Sequence, residues 1–550
     1  MAHADTTHPG RAAPAPPSAG RAPRPFGGPH RVPLLATLPV LPLYAVWWVF
    51  LATGGGDLAA QDAWAQFAAR YGGSAYDLSW YGGMHPAGYS LISPYLMAAL
   101  GVRTVTVLSG LAASWLAGVL IARTGTRHPL GPALLASLAL WCDVASGRST
   151  FALGVAFGLA ACVLLTGERR WVPAAGYALL ATTASPVAGL LLAVVGAGHA
   201  RVRDWRRAAA LLVPPAVVVA ATAALFPFTG QQPMPLARIW PPLALGLILA
   251  AFAPRPWRVA RISGAVYAAG TVLVYLIPSP IGTNIERFAE LFAPAALLAA
   301  LLTAPRARRL GRGALIVALV FSVGWVAKKT ADDLRVSTTV PAWAADTGPV
   351  VRALRDLGAE RARVEAVPAR DHREAVELAR HLNLARGWNR QLDMVRARLF
   401  YDGTFSASAY RAWLDRWAVG YVVLPPAPPD GYARQEADLV RDRRPAWLEP
   451  VWRDAHWRVF RVRDAVPLVS APGSVVRATG ADLVLRVSRP GAVTVRVVWS
   501  PWLRSDGGCL SRDGEFTRLT VSGPGRYQIS SEYGPAPAPS AGCRPARPGS

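Results

Sequence analysis

Three short stretches carry side chains whose types and spacing suit chemistry at a membrane surface. The first reads Gly56-Asp57-Leu58-Ala59-Ala60-Gln61-Asp62, with Trp64, Phe67 and Tyr71 following. Asp57 and Gln61 are four residues apart and share one helix face, with Asp62 one step round. A carboxylate just outside a membrane span can act as general base toward a hydroxyl nucleophile, which makes Asp57, then Asp62, the catalytic candidates. A plainer reading is that Asp57 caps the N-terminus of the helix that follows it; the two roles are compatible. Trp64 and Phe67 extend an apolar face that would lie on a membrane. Further on, His85 precedes Pro86, a residue suited to a helix start; His85 is either structural or a contact for phosphate or sugar.

The second stretch holds Asp143 and Ser146-Gly147-Arg148. An arginine near a helix start can bind phosphate, or it can snorkel to the interface. The third, 278–287, ends in Glu286-Arg287 at the edge of an apolar run. Ionisable groups at a span edge are functional candidates when they face a cavity, and a local ion pair of little value otherwise. A fourth group lies in the more polar half of the chain. Arg386-Gly387-Trp388-Asn389-Arg390-Gln391-Leu392-Asp393, followed by Tyr401-Asp402-Gly403, is dense in side chains that recognise sugars. Trp388, Arg390 and Asp393 are the carbohydrate-contact candidates there; fold-building is the alternative. Zinc spacing, a P-loop and a dinucleotide fingerprint are all missing from the sequence.

These residues need elements to hold them. The chain has 550 residues, 52% hydrophobic and only 17% charged, against about 25% charged in ordinary globular chains. Apolar runs such as 33–53, 104–122 and 207–226 match the thickness of a bilayer. The sequence therefore predicts a membrane all-α bundle followed by a mixed α/β part and a β-sandwich-like part. Residues 1–32 read as a disordered cytoplasmic N-terminus, 33–330 as the transmembrane part, 331–464 as a mixed α/β domain, 465–533 as the small β-sandwich-like domain and 534–550 as a flexible tail. A run such as Tyr421–Pro425 reads as a buried strand, and 482–488, 492–500, 516–521 and 526–533 as further strands.

The net charge of +25 does not point to nucleic acid, because the arginines sit in short clusters between apolar runs, with no nucleic-acid-binding motif around them. Such clusters orient spans. Arg21, Arg24 and Arg31 predict a cytoplasmic N-terminus, and the acidic segment 54–86 an outside loop. Carried along the chain, with 87–101 taken as an interfacial or re-entrant helix, the basic loops predict about 11 spans and an extracytoplasmic C-terminal part. On that reading the spans, with the last at 313–328, are nearly free of ionisable groups. Cys142 and Cys162 read as packing residues, and Cys509 and Cys543 as a disulfide on the oxidising side. The abundance of Ala, Arg, Pro and Gly with few Lys suggests a GC-rich bacterial genome.

One span, then an outside loop with Asp near its start, then a short segment opening His85-Pro86-Ala87-Gly88-Tyr89, then many spans and an outside C-terminal part: this layout resembles the GT-C-type membrane glycosyltransferases, over roughly residues 30–330. The resemblance implies sugar transfer from a polyprenyl-phosphate donor to a cell-envelope glycan acceptor outside the bacterial plasma membrane, with membrane lipid as surroundings. It implies an acidic residue of the first outside loop as base or metal ligand, matched by Asp57 and then Asp62, and hence a divalent cation of unspecified identity. It also implies an arginine on the carrier phosphate, matched by Arg287 or Arg148. The family's two adjacent acidic residues have no counterpart here, where Asp57 and Asp62 stand apart. Two other readings stand beside this one: a non-catalytic membrane scaffold of the same fold, and a transporter or flippase of envelope precursors.

Overall fold

The computed structural model describes residues 28, 30–167, 169–303 and 309–534. Most of the expected disordered N-terminus and C-terminal tail, with Cys543, lies outside the described residues, as do Glu168, Arg306 and Arg308.

The apolar runs form helices. Five are long and apolar enough to cross a membrane: α1 (Arg31–Leu51), α4 (Val102–Arg123), α9 (Trp205–Leu225), α11 (Arg258–Leu276) and α13 (Arg309–Ser337). Shorter apolar helices lie between them: α5 (Leu130–Ala145), α6 (Ser149–Leu165), α8 (Pro186–Arg201) and α10 (Leu236–Phe252). Helices α7 (Trp171–Ala184) and α12 (Glu286–Thr303) complete the bundle among the described residues. Two short helices, α2 (Asp57–Tyr71) and α3 (Ser93–Leu100), lie between α1 and α4. Small residues let the helices approach closely: a Cβ on Gly246 of α10 or Gly264 of α11 would meet the other's carbonyl oxygen at 2.8 Å.

Two expectations about the spans need correction. Helix α13 runs to Ser337 and does not stop at 328, so Lys329, Asp332 and Asp333 are part of it. On its exposed side Asp332 pairs with Lys328 at 2.5 Å and with Arg335 at 3.0 Å, contacts at the spacing that supports a helix. Nor are the helices nearly free of ionisable groups: Asp143 lies in α5 and Glu290 in α12, both buried.

Beyond α13 the chain builds α14 (Gly348–Asp356), β1 (Arg363–Ala366), α15 (Arg373–Glu377), α16 (Arg390–Arg396), α17 (Ala407–Arg416), β2 (Val419–Leu424), β3 (Leu448–Arg453) and β4 (Arg458–Val462). The strands form one sheet in the order β1-β2-β4-β3, parallel between β1 and β2 and antiparallel elsewhere. The remaining strands are β5 (Gly473–Ala478), β6 (Leu483–Val487), β7 (Gly491–Val498), β8 (Arg504–Ser505), β9 (Cys509–Asp513), β10 (Phe516–Val521) and β11 (Gly525–Ser530). They form two antiparallel sheets, β7-β10-β9 and β5-β6-β11-β8. Alternate residues, among them Leu483, Leu485, Val493, Val495, Leu519 and Ile529, point into a shared core, as a sheet with one wet face requires.

The segment 72–85 ties the bundle to both sheet regions. Leu78 N–H donates to Gly480 at 2.7 Å, Leu384 N–H to Ser79 at 2.7 Å and Val498 N–H to Gly82 at 2.8 Å. The turn that makes this possible has Tyr81, Gly82 and Gly83 at φ 56, 71 and 120°. At Gly83 a Cβ would also lie 2.2 Å from the Tyr76 ring. Gly83→Ala is therefore expected to lower stability by about 1–3 kcal/mol through overpacking. Gly403→Ala, at a positive φ with open space around it, should cost less. Thermal unfolding of both variants in detergent checks the order.

Candidate functional site

Gly56, at φ 65°, takes the cap position of α2, and Asp57 becomes the first helical residue. The capping reading of Asp57 is thereby replaced. Its carboxylate instead faces two guanidiniums, lying 3.8 Å from Arg148 Nε and 3.9 Å from Arg287 Nη2. The side chain is 39% exposed. One turn on, Gln61 Oε1 accepts hydrogen bonds from Thr150 Oγ1 at 2.8 Å and Thr150 N–H at 3.3 Å. That contact pins α2 to the start of α6.

Arg148, just ahead of α6, is buried and points at four carboxylates from four segments. It donates to Glu290 at 2.7 Å and Asp143 at 3.3 Å, and it lies 3.6 Å from Asp333 as well as near Asp57. Its Nε has no hydrogen-bond partner among the described residues. It is buried rather than snorkelling to an interface, and it is the hub of an ion network. Glu286 extends this network, accepting from Arg238 Nε at 2.7 Å and Nη2 at 2.5 Å, and from Lys329 at 2.9 Å. Lys329 also donates to Glu290. Arg287 is 13% exposed, lies 5.0 Å over the Phe151 ring and makes no hydrogen bond among the described residues. A cavity of about 10 Å³ opens between Asp143, Arg148, Glu290 and Lys329, room for about one water.

Four of the sequence candidates, Asp57, Arg148, Glu286 and Arg287, thus come together. Glu290, Lys329, Asp333 and Arg238 were missed. Two signals were available: Glu286 and Glu290 are four apart, as are Lys329 and Asp333, so each pair shares a helix face.

The other candidates lie elsewhere. Asp62 makes no ion pair with Arg148 or Arg287; burial pushes its carboxyl up to about 6, against the pull of Arg380 and Arg103. His85 is consumed by the fold. Its Nδ1 bonds the Ala75 carbonyl at 2.8 Å, its Nε2 the Ser500 hydroxyl at 3.0 Å, and burial pushes it down to about 4. With both nitrogens engaged it has none for phosphate or sugar. Trp388 is stacked on His372 with ring centres 3.5 Å apart, Arg390 is paired with Asp430, and Asp393 is buried beside Tyr401. Cys509 is oxidised in a disulfide; its expected partner, Cys543, is outside the described residues. Cys142 and Cys162 are free. The donor set does not fit a divalent cation: Arg and Lys occupy the carboxylates around Asp57, and no three His, Cys, Asp or Glu among the described residues gather as a metal site.

A family model described as a domain of unknown function (DUF8823) matches residues 470–545. No curated protein matches. Solved structures similar to the chain include two cryo-EM structures of the arabinofuranosyltransferase AftD from Mycobacteria. One, a mutant, gives a TM-score of 0.41 at 12% identity over 91% of this chain and 60% of that one. The other gives 0.40 at 11% identity over 92% and 57%. The chain spans about 60% of the length of these structures.

Arg148→Met would leave Asp143 and Glu290 buried without their shared cation, at an expected cost of about 3–5 kcal/mol. Arg287→Gln, whose carboxylate partner is half in solvent, should cost at most about 1 kcal/mol. Unfolding of the two variants in detergent measures the contrast. Asp62 gives a pH signature. Its folded value, about 6, is raised from the ordinary 3.8, so its contribution is full below about 3.8 and lost as pH rises through 6. Asp62→Asn removes that loss: its melting temperature relative to the parent protein should climb between pH 4 and pH 7.

Proposed function

We propose that this is a multi-pass membrane glycosyltransferase of the GT-C-like kind, moving a sugar from a polyprenyl-phosphate donor to a cell-envelope glycan acceptor. On this reading the bundle crosses a bacterial plasma membrane about 11 times, the N-terminus is cytoplasmic, and the network around Arg148 lies at the extracytoplasmic face with the sheet regions. The observation that carries the proposal is the placing of Asp57. It is a partly exposed carboxylate at the first turn of a helix just after the first span, 3.9 Å from Arg287, which makes no hydrogen bond among the described residues.

The chemistry follows from those two side chains. Asp57 takes the proton of an acceptor hydroxyl as its oxygen bonds the anomeric carbon of the donor sugar. The bond from that carbon to the carrier phosphate breaks, and the phosphate leaves with the electron pair. Arg287, with unused N–H donors, is placed to neutralise it. The Arg148 network does not touch substrate; it fixes the helix ends that present the pair. The cavity beside Arg148 has room for a water and not a sugar, so on this reading the donor sugar sits at the open side marked by Asp57.

That small cavity also favours a second reading, a non-catalytic scaffold of the same fold. Transfer assays separate the two. The purified protein is incubated with radiolabelled polyprenyl-phosphate sugars and envelope glycan, beside Asp57→Asn. The enzyme reading expects transfer that falls about 100-fold or more in the variant, the scale of a lost general base. No transfer with any donor, from protein shown to be folded, supports the scaffold.

A further inference from the structure

Arg390, at the start of α16, gathers a group of side chains the mechanism does not use. It pairs with both oxygens of Asp430, at 3.2 and 3.1 Å, and donates to the Tyr401 hydroxyl at 2.8 Å. Its guanidinium lies 4.9 Å from the ring centre of Trp388, 5.7 Å from Tyr401 and 5.2 Å from Tyr432. Trp388 itself is a poor sugar platform, because His372 is stacked on it. The aromatic surface beside it is Tyr432, packed on the partly buried Tyr401 with ring centres 4.4 Å apart. Tyr432 is 50% exposed, and its hydroxyl has no hydrogen-bond partner among the described residues.

The pair is held in place. Asp430 Oδ1 accepts from the Tyr432 N–H at 3.0 Å, and the Tyr401 hydroxyl donates to Asp393 at 2.9 Å. The second Asp393 oxygen is buried without a partner among the described residues. At the edge Asp402 accepts from Thr404 and Arg398. A rigid aromatic face ringed by carboxylates and guanidiniums suits a sugar, whose C–H face packs on the ring while its hydroxyls reach the polar rim. It does not suit a lipid chain, which would want an apolar rim, or a nucleic acid, since Asp430 cancels the charge of Arg390.

We infer that Tyr432 and Tyr401, supported by Arg390, form a glycan-binding platform. Position links it to the ion network: the next residue, Gln391, accepts from Gln231 N–H at 3.0 Å and donates to the Pro280 carbonyl at 3.2 Å. Those two loops lead into α10 and α12, which carry Arg238 and Glu286. Identifying the bound glycan as the acceptor rests on the proposed transferase; the binding itself does not.

Calorimetric titration of the purified full chain with pyranose and furanose hexasaccharides tests the platform. At least one should bind. Tyr432→Ala should weaken it about tenfold, the scale of one lost aromatic contact, while Tyr432→Phe retains it. The titration needs neither donor nor transfer, so a failed transfer assay leaves this result standing. Absence of binding by every hexasaccharide, or unchanged binding in Tyr432→Ala, overturns the platform even if Asp57-dependent transfer is found.

Discussion

Arg148 is a buried cation between helices of a bundle with little water around it, where an uncompensated charge costs several kcal/mol. Asp143 and Glu290 make direct hydrogen bonds to it, and Asp57 and Asp333 lie within 3.8 Å. Each acid comes from a different segment, so satisfying one guanidinium fixes the relative positions of α2, α5, α12 and α13. Lys329 and Arg238 then compensate the acids Arg148 leaves over, bringing in α10. Four cations face five carboxylates across this network. The arrangement specifies one packing of the helix ends more than it stabilises the fold, since apolar residues of similar volume would often stabilise as well.

That constraint passes to the sheet regions through a short path. Helix α2 starts at the network with Asp57 and ends in the segment 72–85, which hydrogen-bonds residues before α16 and on both sides of the β-sandwich core. Arg396 of α16 donates to the carbonyls of Tyr81 at 2.8 Å and Gly83 at 2.6 Å. A second tie runs from Arg373, which bonds Thr53 and Ser337 at the ends of α1 and α13. The sheet regions are thus fastened to the two helix ends that flank Asp57, and a carboxylate on a short helix can be held still.

Much of this was legible in the sequence. The helices follow from apolar runs of about 20 residues, and strands β6, β7, β10 and β11 from strict alternation between turn residues. Asp57, Arg148, Glu286 and Arg287 could be singled out because each stands at the end of an apolar run. Lys329 and Asp333 escaped for a physical reason: hydropathy ends a span at its first charges, whereas the helix continues wherever partners on neighbouring helices compensate them; Glu290 lay inside an apolar run, whose hydropathy one charge does not break. For His85 the sequence offered a structural role as one alternative but could not give its partner, since Ser500 is 415 residues away. Trp388 carried the right chemistry for sugar, but only the fold shows His372 stacked on it and Tyr432 exposed nearby.

On the proposed transferase reading, Asp57 and Arg287 form one anion-handling centre at the end of the bundle. The most direct measurement is a cryo-EM structure of the protein in lipid nanodiscs with a polyprenyl phosphate bound. Phosphate density is expected within hydrogen-bond reach of Arg287, with Asp57 facing the adjoining open space and the Arg148 network unchanged. Phosphate bound at another end of the bundle, or displacing the Arg148 ion pairs to bind there, would contradict it.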